Sequence, residues 1–321
     1  MVENNISIVK ERKGYTRKQR RLIFYVLVFA LPLLQFLLFY LYVNFNSIII
    51  AFQKKTPKET IGYDISFTWG HFANAFESFF SAEFAKMLWN SLQLLFGQLV
   101  IVTPLALLFS YYIAKGKPGS SFFRIMLYLP QVLSVVVLGL LYQEVLNTVY
   151  PSIMKTVFNK TGVASLMTPN SPYNAKFYGA LIFTLWFSFG SNVLIYTGAM
   201  SGIDQSVVES AHLDGVNSFQ EFLYIYVPMV FSTIATFILT GLAGIFNNQM
   251  NLHVFFKNGD EVEVFGYHFY SRTAMYLEQG MNGHISELHE LAALGVIATL
   301  IIIPVTLLAR KLLNKYGPST D

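Results

Sequence analysis

The chain has 321 residues, 54% of them hydrophobic and only 12% charged, with a formal charge of +4. A water-soluble domain normally carries about 25% charged residues, so the composition excludes an ordinary soluble globule. Cysteine is absent, which excludes a disulfide framework and thiolate metal sites, and no basic stripe interleaved with aromatics points to nucleic-acid binding.

The missing charge is accounted for by long apolar runs. They place membrane-spanning helices at about 22–44, 89–113, 122–146, 178–201, 223–247 and 288–310. Unpaired backbone groups have no partner in hydrocarbon, so the spans are helical and the fold class is all-α. The first run begins at Leu22 and is too long for a signal-peptide core, so it is expected to be a retained helix. Lys10, Arg12, Lys13, Arg17, Lys18, Arg20 and Arg21 precede it, which puts the N-terminus in the cytoplasm. Six crossings return the C-terminus to the same side, where Arg310, Lys311 and Lys315 follow the last span. Lys115, Lys117 and Arg124 mark the turn between the second and third spans as cytoplasmic too. Pro32, Pro104, Pro130 and Pro304 fall inside spans, each able to kink its helix. Between spans, Thr168-Pro169-Asn170-Ser171-Pro172 and Gly259-Asp260-Glu261 read as turns in long external loops.

The chain thus divides into a basic tail at 1–21, a first span with its external loop at 22–87, a five-helix core at 88–312, and a short tail at 313–321. The most informative segment is the cytoplasmic loop at 202–222, which contains no Lys or Arg. Asp204 is placed to cap a short helix, and Val207, Val208 and Ala211 give that helix a small apolar face. Gly215 stands where the helix end needs a left-handed residue. Ser218-Phe219-Gln220-Glu221 has the pattern of a capping box opening a second helix. Such a helix–turn–helix is either a docking element for a partner protein or a well-capped connector.

The polar residues of two spans also fall on faces. Thr184, Ser188, Ser191 and Asn192 share one side of the fourth span, beside Trp186 and Phe187. Thr236, Thr240, Gly244, Asn247, Asn248 and Asn251 do the same in the fifth. Small and hydroxyl residues in membrane helices commonly mediate helix packing; the other reading is a neutral, hydrogen-bonding surface for an uncharged polar solute. Glu144 and Glu290 are the ionisable candidates within the spans and both lie near span ends, so no proton or sodium relay is expected. That weighs against an ion-coupled secondary transporter, the leading alternative. No phosphate loop, zinc-binding His-Glu-x-x-His helix or Gly-x-Ser-x-Gly nucleophile turn occurs, so the chain is not expected to be an enzyme.

Glu209-Ser210-Ala211, Asp214-Gly215 and Ile225-Tyr226-Val227-Pro228 resemble the EAA motif of ABC importer permeases. Phe123-Arg124 with Leu129-Pro130, and Trp186 through Gly190 to Asn192, are similar to the carbohydrate (maltose-type) branch. Ser210, Val216 and Val227 depart from the usual alanines and leucine but stay compact or apolar. The resemblance implies a type I importer permease fold with six transmembrane helices in a bacterial cytoplasmic membrane. It implies that Glu209 and Gly215, supported by Ser210, Ala211 and Asp214, enter a groove on an ATPase subunit. Thr184, Phe187, Ser188, Ser191, Asn192, Thr240, Gly244, Asn247 and Asn248 would then line the path of a sugar. The implied partners are a second, homologous permease, an ATPase dimer, an external solute-binding protein and membrane lipid. This chain would bind no cofactor of its own, with ATP and Mg2+ held by the ATPase subunits.

Overall fold

A computed structural model describes residues 16–57, 63–256, 262–279 and 284–318. The Gly259-Asp260-Glu261 turn, the cations at 10–13 and the last three residues lie outside them.

Helix α1 (Arg17–Ala51) starts at Thr16, whose hydroxyl accepts from the Gln19 amide while the Gln19 side chain accepts from the Thr16 amide. Leu, Phe, Val and Tyr surround it on all sides, and nothing from Arg17 to Tyr42 is buried against the rest of the chain. A helix apolar all round needs an apolar surrounding. Its last turns reach the protein, where Ala51 is buried. An antiparallel hairpin follows, β1 (Gln53–Pro57) with β2 (Tyr63–Phe67), in register from Gln53 opposite Phe67 to Pro57 opposite Tyr63. This is the exception to the all-helical expectation. Phe52 anchors it, stacking on Phe67 and meeting Trp69 and Phe72 edge-on or tilted.

The core follows. Helix α2 (Gly70–Phe79) lies against the last helix, and α3 (Ala82–Ala114) is capped by the Ser81 hydroxyl on the Phe84 amide. Helices α4 (Ser120–Val132) and α5 (Val135–Thr156) meet at 97°, so the third apolar run is broken rather than one straight span at 122–146. Leu133 and Ser134 are extended, three residues beyond Pro130, which has no amide to keep the helical ladder complete. Helix α6 (Tyr173–Ser201) is unbroken. After it come α7 (Gln205–Leu213), α8 (Ser218–Met229) and α9 (Phe231–Phe246), the last two bent by 64° at Val230. The fifth run is therefore also not a single straight helix. Helices α10 (Leu252–Phe255) and α11 (Phe265–Gln279) fill a segment expected to be loop, and α12 (Ile285–Tyr316) runs through Pro304 without interruption.

By length and composition, α1, α3, α6 and α12 can each cross a membrane, and the two bent pairs bring the number to six if each is one span. Helix α6 is central. Its first half packs Phe177, Ala180 and Phe183 with Phe255, Val264 and Tyr267. Its second half packs Val193, Tyr196 and Met200 with Ala106, Ile113, Val208, Phe222 and Tyr226. A third cluster joins α2, α3 and α12 through Ala75, Phe84, Met87, Ala293 and Ala298.

Small residues bring the helices close. An added Cβ at Gly190 would stand 2.0 Å from the Leu127 carbonyl oxygen, so α4 crosses α6 in backbone contact there. The Ser110 hydroxyl donates to the Val193 carbonyl at 2.8 Å and ties α3 to α6. In hydrocarbon such cross-helix bonds occupy polar groups that have no water to turn to.

Candidate functional site

A cavity of about 240 Å³ lies between α3, α6 and α9. Its polar lining is Ser91, Gln98, Thr103, Ser188, Asn192, Thr240 and Asn248, set among leucines, Phe237, Ile245, Gly241 and Gly244. None of the lining residues is ionisable. The wall from α3 widens into a π-type turn over Gly97–Val102, which carries Gln98 and Leu99 into the cavity; such local widenings are frequent at functional sites. Gln98 Nε2 donates to the Ser188 hydroxyl at 2.7 Å, and Thr103 Oγ1 donates to the Gln98 carbonyl at 2.9 Å. An added Cβ at Gly244 would meet nothing within 4 Å, so this position is open. A second cavity of about 380 Å³ continues along α9, lined by Ile195, Ser232, Thr233 and Thr236 and sharing Phe237 and Thr240 with the first. The hydroxyl stripe of α9 thus borders two adjoining cavities.

The fourth- and fifth-span residues separate here. Ser188, Asn192, Thr240, Gly244 and Asn248 face the cavity together. Thr184 does not; buried, it donates to the Met250 carbonyl at 2.9 Å and holds the chain that follows α9. Phe187 packs on the first core cluster, stacked parallel to Phe183 at 5.9 Å. Ser191 donates to the Ser188 carbonyl within its own helix at 2.9 Å. Asn247 is exposed, and its backbone passes so close to Gly266 that a Cβ there would be 2.5 Å from it. These four therefore stand outside the cavity lining, which holds the other five.

At the other end of the second core cluster is the 202–222 loop. The Asp204 carboxylate accepts from the Ser206 amide at 2.9 Å, capping α7, and that bond holds its pKa below the ordinary carboxylate value. Val208 is buried against α3 and α8, whereas Glu209, Ser210, Asp214 and Gly215 are exposed and Ala211 is half-buried. Gly215 has φ +79°, the left-handed turn its place in the sequence calls for. The cap of α8 is one residue earlier than its sequence pattern indicates: Asn217 Oδ1 accepts from the amides of Phe219 and Gln220, and Gln220 Oε1 accepts from the Asn217 amide. Asn217 has the extended backbone of an N-cap, and Ser218 is already the first helical residue. The loop's outer surface is apolar in part, with Leu213 90% and Phe219 66% exposed beside the acidic Glu209 and Asp214.

Glu221 is displaced from that cap and does something else. It is 1% exposed, with Oε1 2.7 Å from Lys115 Nζ and Oε2 3.3 Å from His212 Nε2. The second contact is a close approach and not a hydrogen bond. The Tyr111 hydroxyl donates to the Ser218 carbonyl at 3.1 Å beside this pair. Glu144 is exposed and Glu290 accepts from Asn74 Nδ2 at 2.7 Å. The buried Asp, Glu, Lys, Arg or His side chains among the described residues are instead Glu221, Lys176, His71 and His289. Both histidines contact the Gln53 carbonyl, so they fix the start of the hairpin. Among the described residues no group of His, Asp or Glu is arranged to hold a metal.

The model of the family described as "Binding-protein-dependent transport system inner membrane component" matches residues 103–317, which include the α6 and α9 walls of the cavity, the loop and α12. The chain belongs to this family. The permease protein AraP of the arabinooligosaccharides transport system of Bacillus subtilis (strain 168) is 24% identical over 296 residues, covering 90% of this chain and 88% of that one. The permease protein YteP of the polygalacturonan/rhamnogalacturonan transport system of the same organism is 23% identical, covering 91% and 88%. The lactose transport permease LacF of Rhizobium radiobacter is 27% identical over 168 residues, covering 50% of this chain and 54% of that one. Among solved structures, a chain of a bacterial ABC transporter involved in alginate import superimposes with TM-score 0.71 at 19% identity, covering 93% of this chain and 98% of that one. This family member thus has the importer-permease fold and is a multi-pass membrane protein of helical architecture, as the sequence led one to expect.

Proposed function

We propose that this permease forms one half of the translocation path of an ATP-driven importer in a bacterial cytoplasmic membrane, and that its cargo is an uncharged sugar or oligosaccharide. The observation that carries the reading is the pairing of two features on one helix bundle. One is the neutral, hydrogen-bonding groove along α6 and α9; the other is the capped, partly apolar 202–222 loop at one end. Hydroxyl-rich solutes exchange water for amide and hydroxyl partners, which Gln98, Ser188, Asn192, Thr240 and Asn248 supply. An acidic polysaccharide would need cations to replace its hydration, and this lining has none. Relatives named for arabinooligosaccharides and lactose support a sugar as cargo. A second, homologous permease would close the open side of the groove, and an external binding protein would deliver the solute to it.

In this reading the loop lies in the cytoplasm and docks on one subunit of an ATPase dimer, which holds ATP and Mg2+; this chain catalyses nothing itself. Leu213 and Phe219 present apolar surface, and Glu209 and Asp214 add charge that fixes the register of docking. Closure of the ATPase dimer pushes the loop, and the helix bundle turns from inward- to outward-facing. Replacing Glu209 with Ala, or Gly215 with a β-branched residue, is expected to leave insertion intact and to reduce co-purification of the ATPase or uncouple its activity from uptake. Unchanged uptake and co-purification in both variants would overturn the loop assignment.

A further inference from the structure

We propose that Glu221 is a positioning residue that clamps the 202–222 loop to the end of α3, so that movement of the loop is carried directly into the helix that walls the cavity. The inference rests on the proposed docking of the loop and adds the route by which its motion leaves it. Glu221 opens α8, its Oε1 meets Lys115 at the end of α3, and its Oε2 meets His212 on α7. One carboxylate therefore touches three elements at their point of convergence. It is buried, and its neighbours on α8, Phe222 and Tyr226, both pack on Tyr111 of α3. The Tyr111 hydroxyl adds a second tie, to the Ser218 carbonyl.

The chemistry makes this contact hard to release. A carboxylate removed from water without its cation is strongly disfavoured, so any movement that drew α7 and α8 away from Lys115 would leave a buried charge unpaired. Sliding of the loop over α3 is thereby opposed, and moving α3 with the loop is favoured. Helix α3 runs from its end at Lys115 back through the widened turn at Gln98 to Ser91, so the element that ends in the clamp carries six lining residues of the cavity, Gln98 and Ser91 among them. Such a helix is a short mechanical path between the two parts of the site. Sequence gave no warning of the contact, because Lys115 and Glu221 are 106 residues apart and Glu221 sits in the position of a helix cap.

The test uses the complete transporter, with permease pair, ATPases and binding protein, in proteoliposomes. The chain has no cysteine, so Ser206→Cys on α7 and Lys117→Cys beyond α3 can carry a pair of spin labels. With Glu221 in place, the label distance is expected to be the same in the nucleotide-free and ATP-bound states; with Glu221→Gln it is expected to differ between them. A distance that changes between states with Glu221 in place overturns the clamp. Solute imported per ATP hydrolysed is expected to fall at least fivefold in Glu221→Gln and in the double variant Lys115→Met/Glu221→Met, which leaves no charge unpaired, and to recover in part in Glu221→Asp. A double variant that assembles and couples like the parent also overturns it. Glu209→Ala distinguishes the levels: if it uncouples while Glu221→Gln does not, the clamp fails alone, and if neither does, the docking reading fails as well.

Discussion

The crossing of α4 and α6 at Gly190 offers the sharpest structural perturbation. A Cβ built there would stand 2.0 Å from the Leu127 carbonyl oxygen and 3.0 Å from its carbon, where real contacts essentially never fall below 3.0 Å. Both are backbone atoms, so no side chain can rotate away and α4 must retreat by about 1 Å or more. Overpacking of this kind costs about 3 kcal/mol, at the upper end of its usual range, equivalent to roughly a hundredfold in the folded-to-unfolded ratio. At about 2 °C per kcal/mol for a chain this long, the melting midpoint should fall by about 6 °C. Gly198 is the control on the same helix, because an added Cβ there meets nothing within 4 Å. Gly198→Ala should be neutral or gain about 0.5–1 kcal/mol from helix propensity. Thermal unfolding in detergent, with half-lives compared at one fixed temperature because membrane proteins often unfold irreversibly, measures both. The reasoning is refuted if Gly190→Ala melts with the parent, or if the two alanine variants behave alike.

Three further outcomes are expected. Asn217→Ala should destabilise the 202–222 loop by about 1 kcal/mol and Ser218→Ala by much less, read as protease sensitivity of that loop; the reverse order would return the cap to Ser218. The Asp204 carboxyl has a lowered pKa because it accepts from the Ser206 amide, so its stabilising contribution is complete above the ordinary carboxylate pKa and lost as pH falls through the lower folded-state value. Protease protection of the loop should therefore weaken in acid for the parent and show a flatter pH dependence in Asp204→Asn; identical profiles would contradict the cap. Thr184→Val should lower the melting midpoint, removing a bond worth about 1 kcal/mol, without altering solute affinity. Gln98→Leu should instead raise the KM for uptake several-fold, since Ser188 keeps its own bond to the Leu185 carbonyl; the opposite pattern would exchange the roles of the two residues.

Apolar length made the six hydrophobic segments legible, because a run long enough to cross hydrocarbon has few other uses. It did not show that two of them are bent. Pro130 indicated a weak point, but the break falls at Leu133 and Ser134, where the backbone turns extended, and the bend at Val230 falls two residues beyond Pro228. The hairpin had a signal in the alternation of Tyr63, Ile65 and Phe67, and it was obscured by the lysines and proline of its partner strand. In the loop, the Asp204 cap and the Gly215 turn were readable because both act within a few residues of chain. On the fourth span, spacing placed Thr184, Ser188, Ser191 and Asn192 on one face, and three-dimensional packing separated them: Ser188 and Asn192 reach the cavity, while Thr184 is drawn off by the Met250 carbonyl. Gln98 was missed because its exposure to the cavity depends on the widened turn of α3. Glu221 was missed because its partner is distant in sequence.

The most direct test of the proposed function is solute uptake by proteoliposomes containing this chain with its permease partner, the ATPases and the binding protein. Uptake of a neutral oligosaccharide that requires ATP inside and binding protein outside, and that is not driven by a proton or sodium gradient, is the predicted result. Uptake driven by an ion gradient alone, without ATP or ATPase subunits, would contradict it.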